Sequence, residues 1–371
     1  MPGGNGLSRY RVVVSQEPSD LEWDHFVAAA VGGAYQQTSM WAQVKATLGW
    51  RCARLVLRGP QGIVAGCQVL LRPVPWLGAI AYASRGPLVA GHDPRALESL
   101  LEALDELAVR ERVLYLKVQP PPGRGDIAVV LQAHGFVESA LDVAPAVTVR
   151  VDLGRPPEAL LATMRRNTRT NIRKAQRLGV QIREGGEADL GTFTRLLEAT
   201  ARRQGFSAHP QTYYQRMWRT FAARGHACLL IAEHEGAALS SNFLLGYGDS
   251  TVYKAGGWSG TRGNIRPNEL LHWAGMQWGR ARGHRYYDFE GFERSIGQAL
   301  LSEHPPDLSA NGLANFKLGF GGDVTAFPGT YDRTYRPPLA SALRRFAPQL
   351  DRLMPLAHRA LDTRWKTRRR R

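Results

Sequence analysis

The chain has 371 residues, of which 44% are hydrophobic and 22% are charged, values that exclude an extended disordered polymer and favour two folded domains of moderate size. Its 48 basic residues against 32 acidic ones give a formal net charge of +16. This excess favours polyanionic partners such as nucleic acid, an anionic membrane or a phosphorylated substrate, unless the arginine content only follows a GC-rich genome.

The first 150 residues predict a mixed α/β domain, and the glycine and prolines of segment 154–157 mark its end. The clearest helix covers 94–110, where leucines recur at helical spacing. In chain order, the pattern predicts helices at 20–30, 39–48 and 94–110, and strands at 53–57, 64–71, 80–84, 113–118 and 146–151.

Residues 151–327 predict a second α/β domain. It is expected to contain helices at 157–178, 190–204, 210–224 and 268–282, and strands at 180–183, 227–234, 239–247, 251–255 and 284–289. After this domain the chain becomes basic, and its last eight residues include six basic side chains. We expect residues 346–371 to form a basic helical tail, which either contacts an anionic membrane or is simply solvated.

Cysteine usage and hydropathy indicate the compartment. Cys52, Cys67 and Cys228 lie far apart among apolar neighbours, so the sequence predicts neither a disulfide framework nor a metal site built on cysteines. The first residues lack the apolar core of a secretory signal, and no stretch approaches the roughly 18 apolar residues of a membrane span. We therefore expect a cytoplasmic protein.

Segment 164–178 carries four arginines with helical spacing. On a helix, these arginines share one face, and apolar side chains fall on another. Four like charges on one face repel each other unless an anion offsets them. We hypothesise that this arginine face binds the phosphates of a nucleic acid or of a diphosphate, with a solvated charged face as the alternative. The face consists of Arg166, Arg169, Arg173 and Arg177.

Segment 312–323 places a single lysine, Lys317, beside Phe316 and among glycines. Glycines let a backbone approach a ligand closely, and a lysine in that setting stabilises negative charge that develops in a reaction. The alternative is a helix C-terminus capped by Gly319, with Lys317 merely solvated.

Segment 294–299 matches the R-x-x-G-x-A loop with which GNAT transferases bind the pyrophosphate of acetyl-CoA. Such a loop binds phosphate through N–H groups at a helix N-terminus, so it must follow a strand and open a long helix. Here only a short stretch separates the segment from Pro305. The sequence contains no Walker lysine loop, no His-Glu-x-x-His and no G-x-S-x-G, so we expect no metal-dependent reaction.

A series of weaker motifs runs in a fixed order through residues 10–340. They are QTSMWAQVK (37–45), LGW (48–50), YASRGPLV (82–89), NIRKA (171–175), RQGF (203–206), YY (213–214), PNELLHW (267–273), YDFEG (287–291) and NFKLGFGG (315–322). This ordered series resembles the Fem (FemABX) family of non-ribosomal peptidyl transferases, which build peptidoglycan interpeptide bridges from aminoacyl-tRNA.

The resemblance implies an α/β (α+β) fold of two GNAT-like domains that face each other across a cleft. The chain would leave the second domain and complete the first at about 328–345. Larger members of the family carry a coiled-coil arm in the second domain, for which the short connection after Arg224 leaves no room.

The resemblance also implies roles for individual residues. Lys317, with Phe316 beside it, matches the lysine that stabilises the tetrahedral oxyanion, and Lys45 matches the lysine that holds the diphosphate of the precursor. His209 stands where the family has an arginine, and Gln119 stands where it often has an acid, which leaves the general base unassigned. The implied substrate-binding residues are Lys45, Gln119, Arg203, His209, Tyr213 and Tyr253.

The implied reaction is aminolysis of an ester. The side-chain amine of the third residue of a peptidoglycan precursor attacks aminoacyl-tRNA, and because the ester supplies the driving force, neither cofactor nor metal is expected. The partners are then aminoacyl-tRNA and the precursor, either UDP-MurNAc-pentapeptide or its lipid-linked form, used by a monomer in the cytoplasm or at the inner face of the membrane. An acyl-CoA-dependent N-acyltransferase of GNAT type and a tRNA-binding protein without catalysis stay open as alternatives.

Overall fold

The computed structural model describes residues 10–140, 142, 144–303 and 312–337. The basic tail expected at 346–371 lies outside these residues. Within the described part of the chain, no helix is both long and apolar enough to cross a membrane.

The first part of the chain forms one sheet with its helices. Its elements are β1 (Arg11–Ser15), α1 (Leu21–Ala29), α2 (Ser39–Ala46), β2 (Arg51–Gly59), β3 (Gly62–Val74), β4 (Gly78–Ser84), β5 (Leu88–Val89), α3 (Pro94–Arg110), β6 (Val113–Gln119), α4 (Gly125–Ala133) and β7 (Val137–Glu138). Helix α3 covers the predicted residues because Asp93 accepts a hydrogen bond from Ala96 N at its start and its leucine stripe packs on the sheet.

The second part forms another sheet, and the chain then returns to the first. The elements are β8 (Val147–Asp152), α5 (Pro157–Thr163), α6 (Arg166–Arg177), β9 (Gln181–Gly185), α7 (Leu190–Gln204), α8 (Gln211–Ala222), β10 (Ala227–His234), β11 (Ala237–Tyr247), β12 (Ser250–Trp258), α9 (Pro267–Ala281), β13 (Tyr286–Asp288), α10 (Arg294–Leu300), α11 (Gly312–Leu318), β14 (Asp323–Ala326) and β15 (Tyr331–Thr334). Only four residues separate α8 from β10, so the described chain has no coiled-coil arm at this point.

Each sheet contains one parallel pair of strands. The first sheet has the order β1-β2-β3-β4-β6-β15-β7, with β5 paired to β3, and β4 runs parallel to β6. The second has the order β14-β8-β13-β12-β11-β10-β9, and β12 runs parallel to β13. Strand β8, which we placed at the end of the first domain, instead pairs with β13 and β14, because Val147, Val149 and Val151 pack into the second core.

The single helix predicted at 157–178 is two helices. Helix α5 ends at Thr163, Met164 has extended backbone angles, and α6 begins at Arg166. The break lets the Met164 side chain fill the second core, where it is 2% exposed. Arg165 N then donates to Gly319 O at 2.9 Å, so a contact distant in sequence replaces the continued helix.

The two sheets are joined through a shared apolar core and a partly buried ion pair. Helix α2 packs against α8, and aromatic side chains of both parts meet there, including Trp41 and Phe221. Asp24 accepts from Arg224 at 2.6 Å, and Tyr247 Oη donates to the backbone oxygen of Asp24 at 2.5 Å. These contacts hold the first sheet beside the candidate active site.

Candidate active site

A cavity of about 1050 Å³ lies among α7, α8, β12 and the short helix α11. This volume is at the upper end of those typical of small-molecule sites. Six of the predicted site residues line it: Arg203, His209, Tyr213, Tyr253, Phe316 and Lys317. The tertiary structure thus brings together residues that lie more than one hundred positions apart in the chain.

Lys317 is buried in the wall of this cavity, with 7% of its surface exposed. Its Nζ donates to Phe289 O at 3.0 Å and to Gly291 O at 2.5 Å, and it lies 5.0 Å from the centre of the Phe292 ring. The alternative of a merely solvated lysine at a helix end is therefore wrong. An ammonium group has three N–H donors, so a third is left for a ligand in the cavity.

Burial sets the protonation behaviour of this lysine. Desolvation lowers the pKa of Lys317 to about 8, although the nearby carboxylates of Glu290 and Asp288 act in the opposite direction. The side chain thus remains charged at neutral pH, in surroundings of low dielectric where its charge acts strongly on a neighbouring oxyanion.

An aromatic wall surrounds His272 next to Lys317. The His272 ring centre lies 4.6 Å from that of Tyr253 and 5.4 Å from that of Phe316, and Nδ1 shares a 2.9 Å hydrogen bond with Tyr287 Oη. Burial, followed by the positive charge of Lys317, lowers the pKa of His272 to about 3. The imidazole is therefore neutral at physiological pH, a feature that the sequence alone did not indicate.

Lys45 does not line the cavity but lies close to it. Its Nζ is 5.6 Å from the ring centre of Trp41, 5.8 Å from that of Trp50 and 5.7 Å from that of Tyr82. Desolvation lowers the pKa of Lys45 to about 8, and the charges of Lys254 and Arg72 contribute. Cation–π contacts favour the charged form of Lys45, so the three rings stabilise an ammonium group that can bind an anion.

Lys254 and Glu290 connect the two predicted lysines. Lys254 Nζ lies 5.5 Å from the Trp41 ring, on which Lys45 also lies, and forms a 2.6 Å ion pair with Glu290. The carbonyls on either side of Glu290 accept the hydrogen bonds of Lys317. Sequence analysis assigned no role to Lys254 or Glu290, although Glu290 lies in the YDFEG motif; no local pattern around Lys254 indicated its position.

The helices α7 and α8 supply the opposite wall. The His209 ring centre lies 4.2 Å from that of Tyr213, and desolvation together with the charges of Lys45 and Lys254 lowers the pKa of His209 to about 4. His209 is thus neutral and supplies no cation where the family has an arginine. Arg203 donates to Trp258 O at 2.6 Å, and its guanidinium lies 4.9 Å from the centre of the Trp258 ring.

Gln119 lies outside the cavity and is fully buried. Its Nε2 donates to Ala144 O at 2.9 Å and Pro328 O at 3.3 Å, and its Oε1 accepts from Ala144 N at 2.9 Å. The amide therefore joins three chain segments, and this position corrects its assignment as a substrate-binding residue.

The arginine face also lies outside the cavity, on α6. Arg166, Arg173 and Arg177 are exposed and form no hydrogen bond or ion pair with any residue that the structure describes. Arg169 differs, because it donates to Ala162 O at 3.1 Å and Met164 O at 2.6 Å across the break before α6. Thr168, Ile172 and Ala175 of the packing face predicted for this helix are buried, whereas Leu178, which was predicted on the same face, is 43% exposed.

The candidate pyrophosphate loop does not open a long helix. Helix α10 begins at Arg294 and has seven residues. Arg294 itself donates to Ser139 O at 2.9 Å and lies 3.6 Å from Glu138 and 3.8 Å from Asp142. The segment thus lacks the helix that phosphate binding of this type requires, and its arginine contacts protein groups.

Comparisons with known proteins agree with this architecture. The model of the FemAB family matches residues 18–124, and a model described as an acetyltransferase (GNAT) domain matches residues 162–293. The lipid II:glycine glycyltransferases of Staphylococcus saprophyticus and Staphylococcus aureus are each 23% identical to this chain, and each alignment covers 90% of the chain and 95% of the relative.

Solved structures show the same fold. FemX superposes with a TM-score of 0.78 at 22% identity, over 87% of this chain and 97% of that one. A tandem GNAT protein from the clavulanic acid biosynthesis pathway superposes with a TM-score of 0.54 at 14% identity, over 88% of this chain and 98% of that one.

The expected fold of two GNAT-like α/β units is thus confirmed, and the protein has the architecture of a tandem GNAT transferase. The first unit of the chain matches the FemAB family model, and most of the chain is similar to lipid II:glycine glycyltransferases.

Proposed function

We propose that this transferase moves an amino acid from aminoacyl-tRNA to the side-chain amine of the third residue of a peptidoglycan precursor. The family and its relatives, named lipid II:glycine glycyltransferases, support this substrate class. The observation that carries the proposal is Lys317, a buried charged donor at the wall of a cavity large enough for a peptide. The proposal places the reaction in the cytoplasm, where aminoacyl-tRNA occurs.

In the proposed reaction, the neutral amine attacks the carbonyl carbon of the aminoacyl ester, and the carbonyl electrons move onto oxygen. Lys317 then donates to this oxygen, which carries more negative charge in the transition state than in the ester. When the intermediate collapses, the C–O bond to the tRNA ribose breaks and the amine proton passes to solvent or to the leaving oxygen. Because the ester is already activated, positioning and this donor supply the catalysis.

The cations outside the cavity suit the charges of the two substrates. Lys45, in its aromatic cage beside the cavity, is proposed to hold the diphosphate of the precursor. The exposed arginines of α6 are proposed to contact the tRNA backbone, because they have no acidic partner among the described residues. The role of Lys45 follows from the family resemblance, and the role of the arginines follows from their spacing and from the charge that the structure leaves available.

Purified protein given charged tRNA and a muropeptide precursor is expected to lengthen the precursor by at least one amino acid without ATP, because the ester carries the driving force. Mass spectrometry of the precursor measures the product. Uncharged tRNA serves as the control, and labelled acetyl-CoA tests the alternative acyl donor. Use of acetyl-CoA in place of charged tRNA contradicts the proposal, and binding of tRNA without any product supports a protein that only binds RNA.

Reversing the charge of Arg166 and Arg173 is expected to weaken tRNA binding and to flatten its dependence on salt. Each phosphate contact that is lost lowers the number of counterions released when tRNA binds. These two arginines lie seven residues apart on one face of α6, and neither holds the backbone as Arg169 does. The affinity for tRNA measured over a series of salt concentrations tests this.

The matched control is the same double reversal on α3, at Arg95 and Arg110. Both are exposed, and neither lines the cavity. It changes the net charge equally. If the two double variants lose tRNA affinity equally, the effect comes from the overall charge. If the α6 variant keeps the wild-type salt dependence, the arginine face is a solvated surface.

The value of kcat/KM is expected to fall as the pH rises through about 8. The pKa values of Lys45 and Lys317 are both lowered to about 8, so each lysine is charged below that pH and neutral above it. Rising pH has the opposite effect on the attacking amine, which gains nucleophilicity as it loses its proton. The profile of kcat/KM should therefore be bell-shaped, and a steady rise well beyond pH 8 contradicts a charged lysine in the free enzyme.

A further inference from the structure

The turn between β3 and β4 exposes a tryptophan to solvent. Trp76 is 96% exposed, the largest fraction of any large apolar side chain in the described ranges. Leu77 N donates to Val74 O at 3.1 Å, which closes a β-turn with Pro75 and Trp76 at its centre. Packing within the chain therefore does not explain why a tryptophan occupies this position.

The backbone does not favour a tryptophan here either. Trp76 has a φ of 66°, in the left-handed region. A turn with proline at its first central position and a positive φ at its second favours glycine at the second, and a bulky side chain is strained there. A strained aromatic residue that packs against nothing indicates a role at the surface.

The apolar surface extends from the turn to the end of α3. Segment 73–84, which contains the turn, has no charged side chain. Val109, in the last turn of α3, is 71% exposed. Arg112 N donates to Val109 O at 3.1 Å, and Arg112 O accepts from Ala79 N at 3.3 Å, so the end of α3 adjoins the hairpin. Trp76 and Val109 thus lie at the same end of the first sheet.

Arginines surround this apolar surface. Arg51 pairs with Leu71 in the ladder of β2 and β3, and Arg336 N donates to Leu114 O at 3.3 Å, which places both at this end. Glu111 offsets Arg51 at 2.9 Å, but Arg112 is exposed and has no ion pair among the described residues. Five arginines against two glutamates leave an excess of three positive charges. These charged residues are Arg51, Arg72, Arg110, Arg112 and Arg336, with Glu106 and Glu111.

We propose that this end of the first sheet docks on an anionic lipid bilayer, with the Trp76 ring at the boundary between headgroups and acyl chains. Tryptophan is enriched at that boundary because it combines an apolar ring with an N–H donor. The arginines then lie at the level of the lipid phosphates, which attract them. A bilayer accommodates both the apolar side chains and the arginines, whereas a nucleic-acid backbone would satisfy only the arginines.

The proposed surface lies close to Lys45. The guanidinium of Arg72 is 5.5 Å from the centre of the Trp50 ring, and Lys45 Nζ is 5.8 Å from the same centre. Trp76 follows Arg72 by four residues, so their Cα atoms are at most about 14 Å apart. Docking here brings the bilayer close to the lysine that is proposed to hold a diphosphate. This link to the acceptor rests on the proposed function, whereas the docking itself does not.

Sedimentation of the full chain with vesicles, without tRNA or precursor, tests the surface. The vesicles contain phosphatidylcholine alone or equal parts of phosphatidylcholine and phosphatidylglycerol. We expect the wild-type protein to bind the anionic vesicles more tightly. Trp76→Gly should lower that affinity about tenfold or more, because it removes a large apolar side chain. It should fold at least as stably as the wild type in thermal unfolding, since glycine suits a positive φ.

A double change, Arg110→Gln with Arg112→Gln, should lower the affinity for anionic vesicles about tenfold and have little effect on neutral ones, because each basic side chain at an anionic surface contributes about fivefold. The charge control is Arg202→Gln with Arg216→Gln, two exposed arginines on α7 and α8. The apolar control is Val129→Ala on α4, which changes a side chain that is 66% exposed.

Weaker binding of both test variants, with both controls unchanged, supports the proposal. Absence of wild-type binding to anionic vesicles overturns it, and so does Trp76→Gly protein that binds them like the wild type. A loss of tRNA affinity in Trp76→Gly assigns the surface to RNA, and conversion of a wild-type dimer to a monomer assigns it to a second copy of the chain; either result overturns it. Because the assay contains neither substrate of the transfer reaction, failure of the proposed function leaves this result unaffected.

Discussion

Replacing Lys317 with alanine is expected to lower the rate of amino-acid transfer by about 100- to 1,000-fold, the typical cost of losing one oxyanion donor. The tetrahedral intermediate carries a full negative charge on the former carbonyl oxygen. In the structure, Lys317 is held by Phe289 O and Gly291 O in a buried setting, so it needs little rearrangement to meet that charge. The loss should appear in kcat rather than only in KM.

The same variant is expected to fold, because two effects on its stability oppose each other. Removing a buried lysine removes the desolvation cost that lowers its pKa from 10.5 to about 8. The carbonyls of Phe289 and Gly291 then lose their donor, which costs about 1–3 kcal/mol for each buried group left unsatisfied. The net change in the free energy of unfolding should therefore be small.

Steady-state kinetics and thermal unfolding of the same preparation test both expectations. Lys174→Ala on α6 is the matched control, because it makes the same change on a half-buried lysine that does not line the cavity. Lys317→Ala with near-normal turnover shows that the oxyanion is stabilised elsewhere. A variant that fails to fold is replaced by Lys317→Met, which keeps the length of the side chain.

Replacing Lys45 with methionine is expected to raise the KM for the precursor by about 10- to 100-fold and to leave kcat nearly unchanged. A hydrogen bond to a charged group contributes about 1.5–3 kcal/mol, and a contact to a distant diphosphate is equal in the ground and transition states. Methionine keeps a long apolar chain among Trp41, Trp50 and Tyr82, so the aromatic cage should stay packed.

Direct binding of the precursor, with and without its diphosphate, distinguishes the cause. Wild-type protein should bind the intact precursor more tightly than the dephosphorylated one, and Lys45→Met should bind the two alike. If the variant retains the preference for the diphosphate, another cation holds it, and Lys254 and Arg72 are the neighbouring candidates. A fall in kcat without a change in affinity places Lys45 in the chemistry instead.

The sequence by itself determined the elements whose signals are local. Helix α7 and strand β10 begin and end at the predicted residues, and the amphipathic periodicity of α6 predicted which of its faces is buried. The ordered motifs also predicted the family and the neighbourhood of Lys317, since a series of short patterns in the right order carries more information than any one of them.

Only the tertiary structure decided how these pieces are used. Strand β8 belongs to the second sheet because its valines fit that core, and the long helix breaks at Met164 because a contact with Gly319 replaces the next turn. Lys317 is a buried donor and not a helix-capping surface group, because the carbonyls that hold it lie 28 and 26 residues earlier in the chain. The link from Lys45 through Lys254 and Glu290 has the same origin: burial and charge at a site are sums over neighbours in space, and no local pattern records which neighbours the fold will supply.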